Sequence, residues 1–195
     1  MEHKKNIKLV FIITASLILG VIADIIIHEF GHGLSGAAVG GKIFSIRIWP
    51  GIQVYPKICF EKFTPSIFGL AIVHNLESNK QQGIMELMGS GTTAVSAYLI
   101  IGLTAVAKFK KFTIFFIIVS MIFAWDIILY STLPLIGLRH GFFLGGEIAE
   151  PLLAAQKLGI SKGLYFFILV GHAVVFNFIV FNRWKKYRQL NITYI

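Results

Sequence analysis

The sequence predicts a mainly α-helical, polytopic membrane protein: a bundle of about four transmembrane helices with a small β-hairpin after the first helix. Of its 195 residues, 56% are hydrophobic, and the mean hydropathy of +0.77 exceeds that of soluble domains. Several apolar runs reach the ~20 residues that a helix needs to cross a bilayer. Basic residues stand beside the ends of these runs, as they do in membrane proteins. The length suits a single domain, which we expect to cover residues 1–195.

The formal net charge of +9 is concentrated at the ends of the predicted helices. This distribution predicts contact with anionic headgroups of the lipid bilayer and argues against nucleic acid as a partner. The positive-inside rule then predicts a multi-pass protein of the cell membrane with both termini cytoplasmic. The single cysteine, Cys59, excludes an internal disulfide and a cysteine-rich zinc site. The basic clusters are Lys4, Lys5 and Lys8; Lys108, Lys110 and Lys111; and Arg183, Lys185, Lys186 and Arg188.

The first apolar run, residues 7–39, predicts the first transmembrane helix. At 1.5 Å per residue it is roughly 50 Å long, so it must tilt or project from the bilayer. Basic residues precede the run as in a signal peptide. However, no convincing small-x-small cleavage site follows, so we expect a signal anchor that is retained. Gly40-Gly41 is expected to end this helix.

Residues 42–82 are predicted to form a hairpin and a loop outside the membrane. Apolar and polar residues alternate over residues 42–49, Pro50-Gly51 predicts a turn, and residues 52–55 predict a second short strand. The rest of the segment reads as a loop, with an interfacial helix expected at residues 66–73. The hairpin would serve either as a lid on the helix bundle or as an open edge that pairs with an extended substrate strand.

Three further spans are predicted, at about residues 83–107, 112–133 and 163–181. Small residues between Met88 and Ala97 in the second span favour close packing against the first helix. The segment 138–162 is expected to lie on the outer side, with a short helix at about residues 147–158.

The chemistry-bearing motif is His28-Glu29-Phe30-Gly31-His32, within the first span. On a helix, histidines four residues apart lie on one face about 6 Å apart along the axis, so both imidazoles can bind one Zn²⁺. The intervening Glu29 is then placed to act as the catalytic base on a water molecule. Because charged side chains inside a membrane are costly without partners, the setting favours a zinc site.

A catalytic zinc needs a third protein ligand, for which we predict Asp126. This carboxylate lies inside a predicted span, where an unpaired charge would be expensive. The alternative role for Asp126 is a structural hydrogen bond to another helix. Alternative third ligands are Glu147, Glu150 and His140 in the outer segment. Asp24 lies one turn before His28. It is predicted either to accept a hydrogen bond from the free ring N–H of that histidine or to make an unrelated contact between helices.

These features resemble the site-2 protease family of intramembrane zinc metalloproteases. The resemblance rests on the motif at residues 28–32 in a membrane helix, on Gly40-Gly41 and on the alternating hairpin. The stretch Gly89-Ser90-Gly91 is similar to the family's Gly-Pro-x-x-Asn region without its Pro and Asn. The family's Asn-x-x-Pro-x-x-x-Asp-Gly motif is not intact, since residues 131–134 match its first half without the Asn and residues 144–146 match its end without the Asp. Aligning that motif would favour a third ligand near residues 145–147.

The resemblance implies a divergent member that hydrolyses peptide bonds of membrane-protein or peptide substrates in or beside the bilayer. Zinc would polarise the scissile carbonyl, and Glu29 would move the proton. Two other readings remain open. One is a non-proteolytic zinc-binding scaffold or pseudo-protease, which the missing motif residues favour. The other is a small ion or metal transporter, although transport has no need of a general base beside the metal.

Overall fold

The protein is mainly helical, as predicted, with 71% helix. The computed structural model describes residues 2–61, 68–106, 112–140 and 146–192. The helices are α1 (Glu2–Ala38), α2 (Asn79–Leu103), α3 (Thr113–Thr132), α4 (Glu150–Lys157) and α5 (Lys162–Ile192), and a 3-10 turn at Leu133–Ile136 follows α3. One antiparallel sheet after α1 contains β1 (Lys42–Ile48), β2 (Ile52–Tyr55), β3 (Cys59–Phe60) and β4 (Gly69–His74).

Four helical segments of the described chain are long and apolar enough to cross a membrane, which confirms the predicted spans. They are Leu9–Ala38, Asn79–Leu103, Thr113–Ile136 and Lys162–Gln189. In the first and last of these, only 17% of the most apolar window is buried inside the protein, which leaves most of their side chains to face lipid. The predicted basic turn at residues 108–111 lies outside the described residues.

Several helix boundaries differ from the prediction, among them the start of α2 and the end of α5. α2 begins four residues before the expected residue 83, because Ser78 and Gln81 form a capping box that satisfies free N–H groups of the first turn. α5 continues to Ile192, past the expected end at residue 181. Its basic C-terminal part can continue as a helix beyond the membrane, because charged residues are favourable there.

Two glycines and one glutamine fix the end of α1. Gly40 has a φ of +100°, a left-handed conformation that favours glycine. The Gly41 N–H donates to the Gly36 carbonyl at 2.9 Å. The Gln81 side chain at the start of α2 donates to the Val39 carbonyl at 2.8 Å. The start of α2 is thereby held next to the end of α1, close to residues 28–32.

The predicted hairpin is present as β1 and β2, but it belongs to a larger sheet. Its strand order is β3-β2-β1-β4. The expectation of a loop with an interfacial helix at residues 66–73 was wrong, because Gly69–His74 forms β4 and pairs with β1 from Lys42↔His74 to Ile48↔Gly69; residues 62–67 lie outside the described residues. A short apolar run suits either a helix or a strand, and pairing with a distant strand decided between them.

The small residues of α2 pack against α1, as predicted. Gly89, Ser90 and Thr93 are buried. On the α1 side, a Cβ added to Gly31 would collide with the Met88 carbonyl oxygen and lie 2.8 Å from the Thr92 hydroxyl. The two backbones therefore approach as closely as glycine permits. The expected outer helix is α4, at residues 150–157, and it packs on the start of α2.

Candidate metal centre

The three polar side chains of the motif are buried inside the helix bundle. His28, Glu29 and His32 are 8%, 7% and 6% exposed, respectively. The face of α1 that carries them is covered by α2 and α3, and β4 lies against Glu29. Burial of three such groups has a large desolvation cost unless each finds a partner.

His28 is anchored through its Nδ1 atom. This nitrogen lies 3.0 Å from Oδ2 of Asp126 on α3. The Thr93 hydroxyl on α2 lies 2.9 Å from the same oxygen. Because a carboxylate accepts the ring N–H, the Nδ1–H donates to Asp126 and the Nε2 lone pair remains for a metal.

His32 is anchored in the same way on the backbone of α2. Its Nδ1 lies 2.8 Å from the carbonyl oxygen of Met85. A carbonyl can only accept, so the proton must be on Nδ1 of His32. In the neutral ring, Nε2 then carries a lone pair, which is the form that binds a metal.

The two Nε2 atoms converge on one point beside Gly89. A Cβ added to Gly89 would collide with Nε2 of His32 and would lie 2.7 Å from Nε2 of His28. The absence of a side chain lets both nitrogens lie close to the backbone of α2 and to each other. Zinc binds histidine nitrogens at about 2.0–2.1 Å. The donor atoms and their tautomers therefore fit a metal held by His28 and His32.

Glu29 lies beside this pair, against the first residue of β4. A Cβ added to Gly69 would lie 2.5 Å from Cγ and 2.6 Å from Cδ of Glu29, so only glycine leaves room for this carboxylate. The backbone of Ala71 also hydrogen-bonds to Glu29. The sheet therefore fixes the position of the predicted base relative to the histidines.

The site opens into a cavity of about 720 Å³ between α1, α3, β4 and the start of α4. Four carboxylates line it, and no lysine or arginine occurs among its described lining residues. Four acidic groups in a membrane bundle need compensating positive charge. A bound divalent cation would supply two of these charges, and protonation can neutralise a buried carboxyl group as well. The acidic lining residues are Asp24, Glu29, Asp126 and Glu150.

Asp126 lies at the site, but not where a zinc ligand is needed. Its hydrogen-bonded oxygen is on the Nδ1 side of the His28 ring, whereas the converging atom is Nε2 on the opposite side. In this structure Asp126 is a hydrogen-bonding partner of His28, and its role as third ligand stays a prediction that this contact does not support. The hydrogen bond that was predicted between His28 and Asp24 is made to Asp126 instead. Asp24 is 9% exposed, and its Oδ1 has no hydrogen-bond partner among the described residues.

Two of the alternative ligands, Glu147 and His140, are also placed elsewhere. The Glu147 side chain is 70% exposed and pairs with Arg139 at 3.0 Å. His140 lines the cavity, but its Nε2 accepts a hydrogen bond from the Gly146 N–H at 2.8 Å. Burial lowers the pKa of His140 from 6.5 to about 4, so its ring is neutral near neutral pH. Neither side chain is therefore placed to act as a third metal ligand beside the histidine pair.

Glu150, the remaining alternative, lines the same cavity as the histidines. The hydroxyl of Tyr130 donates to its Oε2 at 2.5 Å. Tyr130 was missed by sequence reasoning, because an aromatic residue in an apolar helix is unremarkable by itself. The available signal was its position one turn after Asp126, on the same face of α3.

The described residues contain no group of three or more His, Cys, Asp or Glu side chains arranged to hold a metal ion. The His28–His32 pair thus provides two donors, one fewer than the three protein ligands of a catalytic zinc site. Comparisons with protein-family models, curated proteins and solved structures found no match.

Proposed function

We propose that the chain is a zinc-dependent endopeptidase that hydrolyses peptide bonds of membrane-protein substrates in or beside the membrane. The observation that carries the proposal is the convergence of two histidine Nε2 atoms beside a buried Glu29. Each ring is held through its other nitrogen, as is usual for histidines that bind a metal. Burial in a membrane bundle points to substrates that are themselves in or at the bilayer.

The residues of the site have separate tasks in this proposal. When bound by His28 and His32, zinc would polarise a carbonyl and make a water molecule more acidic. Glu29 would accept the proton of the attacking water and then deliver it to the departing amine. Asp126 and the Met85 carbonyl hold the two rings so that both Nε2 atoms keep their direction. The bundle keeps bulk water away and strengthens these electrostatic contacts.

The cavity also suits an extended peptide. A transmembrane substrate must unwind locally, because its carbonyls are otherwise committed to helical hydrogen bonds. β4 is an edge strand of the sheet, and Phe68, Gly69, Leu70 and Ala71 line the cavity. A substrate strand that pairs with this edge would run past Glu29. This favours the open-edge role for the sheet over the role of a lid.

We further propose that the protein lies in the cell membrane with both termini cytoplasmic, which places the sheet on the outer side. Cys59 on β3 is the single cysteine of the chain. A thiol reagent that cannot cross membranes should therefore label Cys59 in intact cells. Labelling only after the cells are opened would reverse the orientation.

The decisive experiment combines zinc analysis with cleavage. Wild-type protein and Glu29→Gln would be purified, placed in liposomes with single-span model peptides, and the products identified by mass spectrometry. We expect about one zinc per chain in both proteins and cleavage only by the wild type. Glu77→Gln is the matched control, because Glu77 is an exposed glutamate in the loop before α2 and should not affect either result.

Two outcomes would redirect the proposal. A wild type that binds no zinc after reconstitution would refute the proposal of a metalloprotease. Zinc binding by the wild type without cleavage of any peptide would instead favour the zinc-binding scaffold or pseudo-protease, for which the incomplete ligand group already gives some support.

A further inference from the structure

The cavity wall contains four carboxylates, and three of them are unsuited to complete the metal centre. Asp126 hydrogen-bonds to the opposite side of the His28 ring. Asp24 is eight residues before His32, about 12 Å away along the helix axis. Glu29 is held against β4, where it is available as a base. The fourth carboxylate, Glu150, has no such obstacle.

Glu150 shares its cavity with the two histidines that a third ligand must join. It begins α4 and lines the cavity together with His28 and His32. Zinc commonly takes two histidines and one glutamate as its protein ligands. The chemistry of Glu150 therefore matches the missing position.

Tyr130 controls the orientation of the Glu150 carboxylate. Its hydroxyl donates to Oε2 of Glu150 at 2.5 Å. Its ring stacks on His28, with 5.4 Å between the ring centroids. Oε2 is thus engaged while Oε1 has no hydrogen bond to any described residue. Carboxylates that bind metals are typically hydrogen-bonded through one oxygen in this way.

The helix α4 is itself held in place against α2. Lys157 at the other end of α4 pairs with both carboxylate oxygens of Glu86, at 2.5 and 2.7 Å. Beside this pair, a Cβ added to Gly83 would lie 3.0 Å from the Ala154 carbonyl, so the helices touch closely. Because α2 also anchors His32, the backbone that carries Glu150 has a fixed relation to the histidine pair.

We propose that Glu150 is the third protein ligand of the metal centre and that Tyr130 is its positioning residue. The inference rests on the proposed zinc site at His28 and His32. The three side chains do not yet meet as a metal-binding group in the described structure. Zinc binding therefore requires the Glu150 side chain to turn about its own bonds while α4 stays in place.

The test is zinc affinity, measured by chelator competition on metal-free protein in detergent. Glu150→Gln should bind zinc more than about 100-fold more weakly than wild type, since it loses a charged ligand. Tyr130→Phe keeps the ring and loses only the hydroxyl, so we expect a loss of about 10- to 100-fold. Glu147→Gln is the matched control and should bind like wild type, because Glu147 pairs with Arg139 in solvent.

The outcomes separate this inference from the proposed function. Wild-type affinity in Glu150→Gln, combined with loss of zinc in His28→Ala, would overturn the ligand role and leave the histidine site standing. Wild-type affinity in His28→Ala would remove the proposed site itself. The unfolding temperature of each metal-free variant reports whether it is folded. If Glu150→Gln unfolds, a folded Tyr130→Phe with unchanged affinity would still count against the inference.

Discussion

Gly89 provides the sharpest test of the metal centre, because its missing side chain is what leaves space beside the two histidines. In Gly89→Ala, the new Cβ would lie 2.7 Å from Nε2 of His28 and closer still to Nε2 of His32. It would therefore push both rings out of their positions. The substitution adds one methyl group and no charge, so its effect would be steric.

The size of the clash sets the expected effect. Ordinary van der Waals contact begins near 3.4 Å, so the His28 nitrogen must retreat by at least about 0.7 Å. Such a movement exceeds the ±0.2 Å within which metal–ligand distances normally fall. The rings cannot swing away freely, because their Nδ1 atoms are bonded to Asp126 and the Met85 carbonyl. We expect zinc affinity to fall by at least about 100-fold, more than the loss of an outer hydrogen bond causes.

The assay is zinc affinity by chelator competition, together with the unfolding temperature of the metal-free protein. Gly91→Ala is the matched control on the same helix, where the new Cβ would meet only the flexible Met88 side chain, with Sδ at 3.1 Å. Its zinc affinity should equal that of wild type, and alanine should favour the helix slightly. Wild-type zinc affinity in a folded Gly89→Ala would refute the convergence of His28 and His32 on this point.

Three further predictions concern the surroundings of the pair. Asp126→Asn should weaken zinc binding by about 10- to 100-fold, because it loses the charged acceptor of the His28 N–H; complete loss would restore Asp126 as a direct ligand. Gly69→Ala should leave zinc affinity unchanged but reduce cleavage by about tenfold or more, because its Cβ would push Glu29 aside; undiminished cleavage would argue against Glu29 as the base. Burial lowers the pKa of His140 from 6.5 to about 4. As the pH falls, His140 is therefore protonated in the unfolded chain before it is protonated in the folded protein, and the folded state loses stability between pH 6.5 and 4. In detergent, the excess unfolding temperature of wild type over His140→Phe should therefore shrink across that range, and a constant difference would contradict the assigned shift.

The sequence was sufficient for the membrane class and for the histidine pair. Spans can be predicted from composition, because a helix that crosses lipid must be long and apolar whatever it packs against. The spacing of His28 and His32 likewise fixes their common face, since helical geometry is local. The glycines at residues 40 and 41 marked the end of α1 for the same reason.

The sheet was predicted only in part, because local signals found its hairpin and missed β4. Residues 69–74 are a short apolar run, and such a run has no period that separates helix from strand. Their strand conformation depends on pairing with β1, which begins 27 residues earlier in the chain at Lys42. The same distant pairing brings Gly69 against Glu29, a contact that no local pattern contains.

The sequence alone determined that two histidines and a glutamate share one face of a membrane helix. The tertiary structure decided which ring nitrogen of each histidine is hydrogen-bonded and which residue is its partner. It placed Asp126 on Nδ1 of His28, a position that sequence reasoning had given to Asp24. It also brought Tyr130 and Glu150 from separate helices to the same cavity. The physical reason is that the face of a helix follows from its own period, whereas the partner of each polar atom depends on the crossing and depth of neighbouring helices.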